Sequence, residues 1–380
     1  MRPLARVAVG MLLAVALAGC SALNPFASSG PEPARLTDIA TATVSFEPAW
    51  SVQVGDSEGY AFVPAVVGDA VYAAGQRGNV VRVERGRTIW SVRTDKRLSA
   101  GVGSDGTLAV VVATDGTLIA LDAHTGTERW RAGANAEVLA APAISDGVVV
   151  VRASDSRVVA FDADDGKWRW MYQRTTPALA LRNYPGLIAT EGVAVVGYPG
   201  GKLAAINLEN GGPIWELTVA SPRGVTELER MNDVAGTAVL GSDICAVTFH
   251  GRIACLDPRN GSSLWARDFS SAVGMDKDVR LAVATADDDS VHGLDGFNGS
   301  ELWKQTAMAR RQVTRPLIVD SVVVVGDREG YLHALDRETG NFVGRTRTDR
   351  SGIAVEPRAY DRSGVVVQTR DGGVHAYYVR

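Results

Sequence analysis

The chain has only three cysteines in 380 residues, and none lies in a Cys-x-x-Cys-His run, so covalent haem attachment is excluded. Acidic residues never fall in an Asp-x-Asp-x-Asp-Gly loop with a distal Glu, which removes the EF-hand class of calcium site. Net charge is −4, so no global basic field exists, and nucleic acid or anionic lipid is not expected as a primary partner. After the first twenty residues no run is long and apolar enough to cross a bilayer. No helical periodicity links one apolar run to the next.

What is abundant is glycine, 41 residues, which points to many tight turns. Hydrophobic residues at 46% and charged residues at 22% are ordinary globular values with ample material for a core. The length allows two domains or one large β-domain.

The first residues read as a targeting signal. Arg2 and Arg6 form a positive region and residues 7–18 a short apolar one, ending at Leu17-Ala18-Gly19-Cys20. Residues 1–19 are therefore assigned to a signal peptide. Residues 20–43 contain Asn24-Pro25, Ser28-Ser29-Gly30-Pro31 and Pro33 without apolar periodicity, and are expected to form a flexible tether.

The remainder, 44–380, repeats itself. Gly stands four residues before Trp at Gly86/Trp90, Gly126/Trp130, Gly166/Trp170, Gly211/Trp215, Gly261/Trp265 and Gly299/Trp303. A seventh copy has Asp336 and Gly340 in phase, but Gly344 replaces Trp. The Trp-to-Trp intervals of 40, 40, 40, 45, 50 and 38 residues each accommodate four strands, as the hairpin across Thr114-Asp115-Gly116-Thr117 illustrates. Four-stranded units at this period are propeller blades. The last copy stops one strand short, while residues 46–54 form a lone strand around Trp50. The expected fold is all-β: an eight-bladed β-propeller of four-stranded antiparallel blades, closed by the N-terminal strand pairing with the C-terminal blade.

Seven of the eight tryptophans share one repeat phase and are expected to dock between blades. Trp168, outside that phase, is expected at the surface. His292, His333 and His375 share another phase, but equivalent positions on neighbouring sheets lie roughly 10 Å apart, too far for zinc ligands at about 2.0–2.1 Å. Asp287-Asp288-Asp289 falls where other copies place a turn. Cys245 and Cys255 flank the turn at His250-Gly251. A three-residue turn would set them opposite each other and a two-residue turn on opposite faces, and both registers are open.

The motif Ala-Leu-Asp-x-x-x-Gly-x-x-x-Trp resembles the tryptophan-docking repeat of the pyrroloquinoline-quinone dehydrogenase superfamily, which contains enzymes and non-enzymatic members. The superfamily's enzymes carry adjacent cysteines, calcium ligands and longer chains, none of which this sequence has. The Leu17–Cys20 motif resembles a bacterial lipobox. With a single propeller and this chain length, it resembles the BamB family of outer-membrane assembly lipoproteins. The resemblance implies a non-enzymatic scaffold without cofactor or metal, lipidated at Cys20. Ser21 after the cysteine implies the periplasmic face of the outer membrane in a Gram-negative bacterium. The implied partners are the periplasmic domains of the BamA insertase, other assembly-complex subunits and unfolded outer-membrane proteins. The alternatives in other classes are a quinone-dependent dehydrogenase-like propeller and a glycan-binding periplasmic propeller.

Residues 177–182, Pro-Ala-Leu-Ala-Leu-Arg, resemble the family's insertase-contacting segment. Alternation alone would set Leu179 and Leu181 on one strand face as core residues. The length of the 172–184 connection and the family match instead imply an exposed loop. Residues 226–235 resemble a second contact loop with two acids one residue apart. Asp233 matches the first acid and Ala235 replaces the second. The implied partner-binding residues are Leu179, Leu181, Arg182 and Asp233, and restoring an acid at 235 is expected to leave folding unchanged and favour binding.

Overall fold

The computed structural model describes residues 32–177, 179–181 and 186–380. Among these residues, thirty-two strands form eight four-stranded sheets. Seven blades are continuous antiparallel meanders: blade 1 (65–93), blade 2 (103–133), blade 3 (143–172), blade 4 (187–218), blade 5 (234–269), blade 6 (275–305) and blade 7 (317–347). Blade 8 takes three strands from 358–379 and its outermost strand, Phe46–Gln53, from the other end of the chain. Phe46 pairs with Val379 and Gln53 with Gly373, so the expected closure is observed.

The second strands of the blades are buried on both faces and apolar over most of their length, as in Leu108–Val112, and most third strands are buried likewise. They pack against the next blade, giving a ring of core clusters instead of one central core. The outermost strands are exposed apart from the docking tryptophan, as in Glu128–Gly133.

The Gly/Trp repeat is the joint between blades. The indole N–H of Trp90 donates to Ala123 O at 2.9 Å, and that of Trp130 to Ala163 O at 2.8 Å, both in the following blade. The ring lies on that blade's turn glycine. A Cβ at Gly126 would fall 2.9 Å from the Trp90 ring, and one at Gly166 2.5 Å from Trp130. Both glycines also have φ above +70°, so position and conformation each require glycine there. Trp50 continues the series by lying on Gly86 of blade 1, which joins the last blade to the first. Trp215 departs from it, since Leu217 occupies the space over Gly261. Trp168 is 63% exposed.

Blade 7 lacks its tryptophan because another part of the chain fills the place. A Cβ at Gly344 would lie 2.5 Å from Val44 O, and Thr43 and Val44 both donate their N–H groups to Val343 O, at 3.0 and 3.1 Å. Upstream, Arg345 Nη1 donates to Thr37 O at 2.9 Å, Ala34 N–H donates to Ala309 O at 2.9 Å, and Arg311 Nη1 donates to Ala34 O at 2.8 Å. The described end of the expected tether is thus a strap held along the outer edge of blade 7. Arg311 is fixed in turn by Asp327 at 2.7 Å and Glu329 at 2.5 Å. Residues 1–31, including the signal segment and Cys20, lie outside the described residues.

Cys245 and Cys255 are directly opposite on adjacent strands and disulfide-bonded. The three-residue turn Phe249-His250-Gly251 sets that register. The bridge closes a loop of separation 10, for which chain-entropy arguments give about 2–3 kcal/mol. Reduction under native conditions is therefore expected to lower the melting temperature by several degrees, with a Cys245→Ala/Cys255→Ala protein insensitive to reductant.

The three in-phase histidines each face a separate acid. His292 Nδ1 lies 2.8 Å from Glu301, His333 Nε2 2.9 Å from Asp327 and His375 Nε2 3.6 Å from Asp349. Burial pulls His333 below the usual imidazole range. Its Nδ1 accepts from Arg345 Nε at 3.0 Å, so the neutral ring donates through Nε2 to Asp327. The acidic triplet is a turn, as expected. Asp288 accepts from Ser290 N–H at 2.9 Å and Asp289 from Val313 N–H at 2.8 Å.

Candidate functional site: the connector-loop face

Meander blades sort their connections onto two faces. Turns between strands one and two, and between three and four, lie on one face. Turns between strands two and three, and the connectors between blades, lie on the other. The two longest connectors are neighbours on that second face: 173–186 between blades 3 and 4, and 219–233 between blades 4 and 5.

Asp233 brings them together. It precedes the first strand of blade 5, Val234–Leu240, and its backbone is fixed by a bridge to Pro199 and by Phe249 N–H donating to its carbonyl at 2.8 Å. Its carboxylate accepts from Leu181 N–H and, at 3.4 Å, from Gly200 N–H. Asp233 is 3% exposed, and burial raises its pKa while the two N–H groups and the Arg152 charge oppose the rise. The buried carboxylate therefore holds the connector backbone at Leu181 and does not present itself to solvent. Beneath, the Tyr198 ring carries the Arg152 and Arg174 guanidinium groups at 5.7 and 5.2 Å, and Arg174 pairs with Glu216 at 3.3 Å.

Leu179 and Leu181 lie in a loop, not a strand. Leu179 is 41% exposed and Leu181 half-buried, so the loop reading holds over core packing. Arg182 lies outside the described residues. In the second connector, Thr226-Glu227-Leu228-Glu229 forms a reciprocal capping arrangement. Glu229 Oε2 accepts from Val225 and Thr226 N–H at 2.8 and 3.1 Å, and Glu229 N–H donates to Thr226 Oγ1 at 3.2 Å. Those N–H groups hold the Glu229 carboxyl below its ordinary range. The knot turns Val225 and Leu228 outward, 95% and 61% exposed. Sequence reasoning did not single out these two residues, although the Thr-x-x-Glu spacing is the signal that marks the knot.

Ala235 corrects the expectation made for it. It is 2% exposed and packs with Val247, Cys255, Trp265 and Met275. An acid there would enter the core of the blade 5–6 junction, not the contact loop.

These features define a rigid, closed propeller that displays paired, braced loops with apolar tips on one face, which is the architecture of a binding scaffold. A family model described as outer membrane protein assembly factor BamB matches residues 76–305 and 287–379. Among proteins bearing that name, the one from Bordetella pertussis is 42% identical over 97% of this chain and 96% of its own length. The one from Escherichia coli K12 is 34% identical, with 97% of each chain covered. The chain belongs to the BamB family of outer membrane protein assembly factors.

The crystal structure of BamB from Moraxella catarrhalis superposes with a TM-score of 0.81 at 24% identity, covering 88% of this chain and 99% of that one. Quinohemoprotein alcohol dehydrogenase from Comamonas testosteroni gives 0.67 at 15% identity, covering 88% of this chain and 76% of that one. At these identities the likeness is one of fold, and the dehydrogenase is the more distant.

Proposed function

We propose that the protein is a non-enzymatic scaffold of the outer-membrane β-barrel assembly complex, and that its connector-loop face docks the periplasmic domains of the BamA insertase. The observation that carries this reading is the Asp233 brace. A buried carboxylate is costly, and here one of its hydrogen bonds holds Leu181, in a surface loop whose Leu179 is exposed. Preorganised loops with exposed leucines suit an interface anchor, because little ordering cost remains to be met on binding. Leu179, Leu181 and Arg182 supply the contact on one loop, and Val225 and Leu228 extend it on the other. Other assembly-complex subunits and unfolded outer-membrane proteins are further partners in this reading. Cys20 is the lipid-bearing residue that holds the protein at the periplasmic face of the outer membrane.

Binding to the purified periplasmic domains tests the docking. Leu179→Asp and Leu228→Asp each remove an exposed apolar contact, and Arg182→Glu reverses a charge. Each should weaken binding about tenfold or more, equivalent to about 1.4 kcal/mol. For the two leucines, whose side chains are exposed in the free protein, the melting temperature should not move. Unchanged affinity in all three refutes this face as the interface. Intact-mass analysis of the membrane-extracted protein should show a diacylglyceryl adduct at residue 20, and an unmodified start at Ser21 or later would exclude the anchor.

A further inference from the structure

The strap settles which face of the propeller the N-terminal segment leaves from. Ser45 and Phe46 lie at the face opposite the connectors, because Phe46 pairs with Val379, whose N–H donates to Ser363 O in the first turn of blade 8 at 2.8 Å. Left to itself, the chain preceding Phe46 would emerge there. Instead it runs back across the outer edge of blade 7. It passes Val343 and Arg345 and reaches Ala309 and Arg311 in the blade 6–7 connector, where Ala34 is bonded on both its N–H and its carbonyl. The described N-terminal end, at Ala34, therefore lies at the connector-loop face, two blades further round the ring from the 219–233 loop.

Charge separates the two faces independently. On the far face, the turn between strands one and two carries an acid in every blade, from Asp69, Asp105 and Asp146 in blades 1 to 3 through to Asp361 in blade 8. Asp122, Asp162, Asp257, Asp295 and Asp336 open turns on that same face. The far face also holds Arg85, Lys167, Arg259, Arg280, Arg337 and Arg362, fewer than its acids, while the connector-loop face mixes its acids more evenly with cations such as Arg77, Arg97, Arg223, Arg310, Arg328 and Arg370. An anionic bilayer surface repels the far face more strongly than the connector-loop face.

We infer that the connector-loop face is the membrane-directed face of the anchored protein, with the strap as the device that sets this orientation. The inference rests on the reading of Cys20 as the lipid-bearing residue. With the strap held, thirteen residues (21–33) separate it from Cys20, and a flexible chain of that length has an r.m.s. reach of about 20 Å, comparable with the roughly 20 Å separating the faces along five to seven strand residues. With the strap released, the tether gains eleven residues (34–44) and its exit moves to the acidic face. The docking loops would then meet a partner lying between propeller and bilayer.

The test uses the full lipidated chain on phosphatidylethanolamine/phosphatidylglycerol vesicles carrying a headgroup quencher, without any insertase. A fluorophore is placed through Glu227→Cys on the connector-loop face or Glu209→Cys on the acidic face of blade 4. Both positions are exposed, and the native Cys245–Cys255 bridge leaves no competing thiol there. Quenching at 227 should exceed that at 209 by about twofold or more at this tether length. Ala34→Pro with Arg345→Gln removes the donor to Ala309 and the bond to Thr37, and should abolish or reverse the difference. Protein that floats with the vesicles but is quenched equally at both positions, or more at 209, overturns the orientation alone. A difference that survives in the double variant, with the strap shown to be released by protease cleavage after Arg35, overturns the strap's part in it. Failure to float would sink the lipid-anchor reading and this inference with it.

Discussion

Deleting residues 21–54 should lower the melting temperature of the entire propeller by on the order of 10 °C or more, whereas deleting 21–31 should leave it unchanged. The first truncation removes the outermost strand of blade 8, with its ladder from Phe46–Val379 to Gln53–Gly373. It also removes the buried Phe46 and Val54 side chains and the Trp50 ring that rests on Gly86. Loss of two large apolar side chains alone is worth about 5 kcal/mol or more, and a kilocalorie corresponds to about 2–4 °C in a large domain. The damage is not confined to blade 8, because Trp50 and Val54 belong to the cluster that joins it to Val71, Val81 and Val83 of blade 1. A ring opened at that joint also exposes the edge of Gly373–Val379 to pairing with other chains. Deleting 21–43 should fall between the two. It keeps the closing strand but removes the strap, leaving Arg311 and Arg345 without their carbonyl partners Ala34 and Thr37 and costing about 1–3 kcal/mol. Thermal melts of the three truncations give the ranking directly, and equal melting temperatures would show that the closing strand is not coupled to the ring.

The propeller was legible because its joints are built from residues whose chemistry is local. Glycine at a positive-φ turn and tryptophan four residues later mark six of the eight blades, and the partner surface recurs about forty residues on. Blade closure was legible for the same reason, since Trp50 is in phase. The strap was not, although its trace was visible: Gly344 stands where tryptophan belongs, yet the group that takes the space, Val44, lies three hundred residues away in sequence. The pairing of Cys245 with Cys255 turned on one residue of turn length, which composition does not determine. Asp233, expected from the resemblance as a partner-binding residue, lies buried beside Leu181. An acid in a contact loop reads as a surface charge, and only the fold shows its oxygens spent on the N–H groups of Leu181 and Gly200.

Ala235→Asp should be among the most damaging single substitutions in the chain, destabilising it by about 3–5 kcal/mol. Ala235 pairs with Val247 in the first two strands of blade 5, and its methyl group lies among Cys245, Val247, Cys255, Trp265 and Met275. Gly236 follows with a positive φ, and a Cβ there would lie 2.7 Å from Val273 O, so the strand has little room to shift and carry a new side chain outward. An aspartate at 235 would be a carboxylate in an apolar cluster, and burial would raise its pKa well above the unfolded value of about 3.9. For such a group the sign runs against stability on the alkaline side. Well below pH 4, both states hold the proton and only the steric and polar cost remains. As pH rises past the unfolded value, the unfolded chain releases its proton first and the variant loses further stability until the folded-state pKa is reached. The gap between variant and parent melting temperatures should therefore widen from pH 4 to pH 7, and Ala235→Ser should show a smaller gap with no such pH dependence. A folded, insertase-binding Ala235→Asp protein with parental stability at pH 7 would mean that the 226–235 segment leaves the core in solution and that position 235 belongs to the contact surface after all.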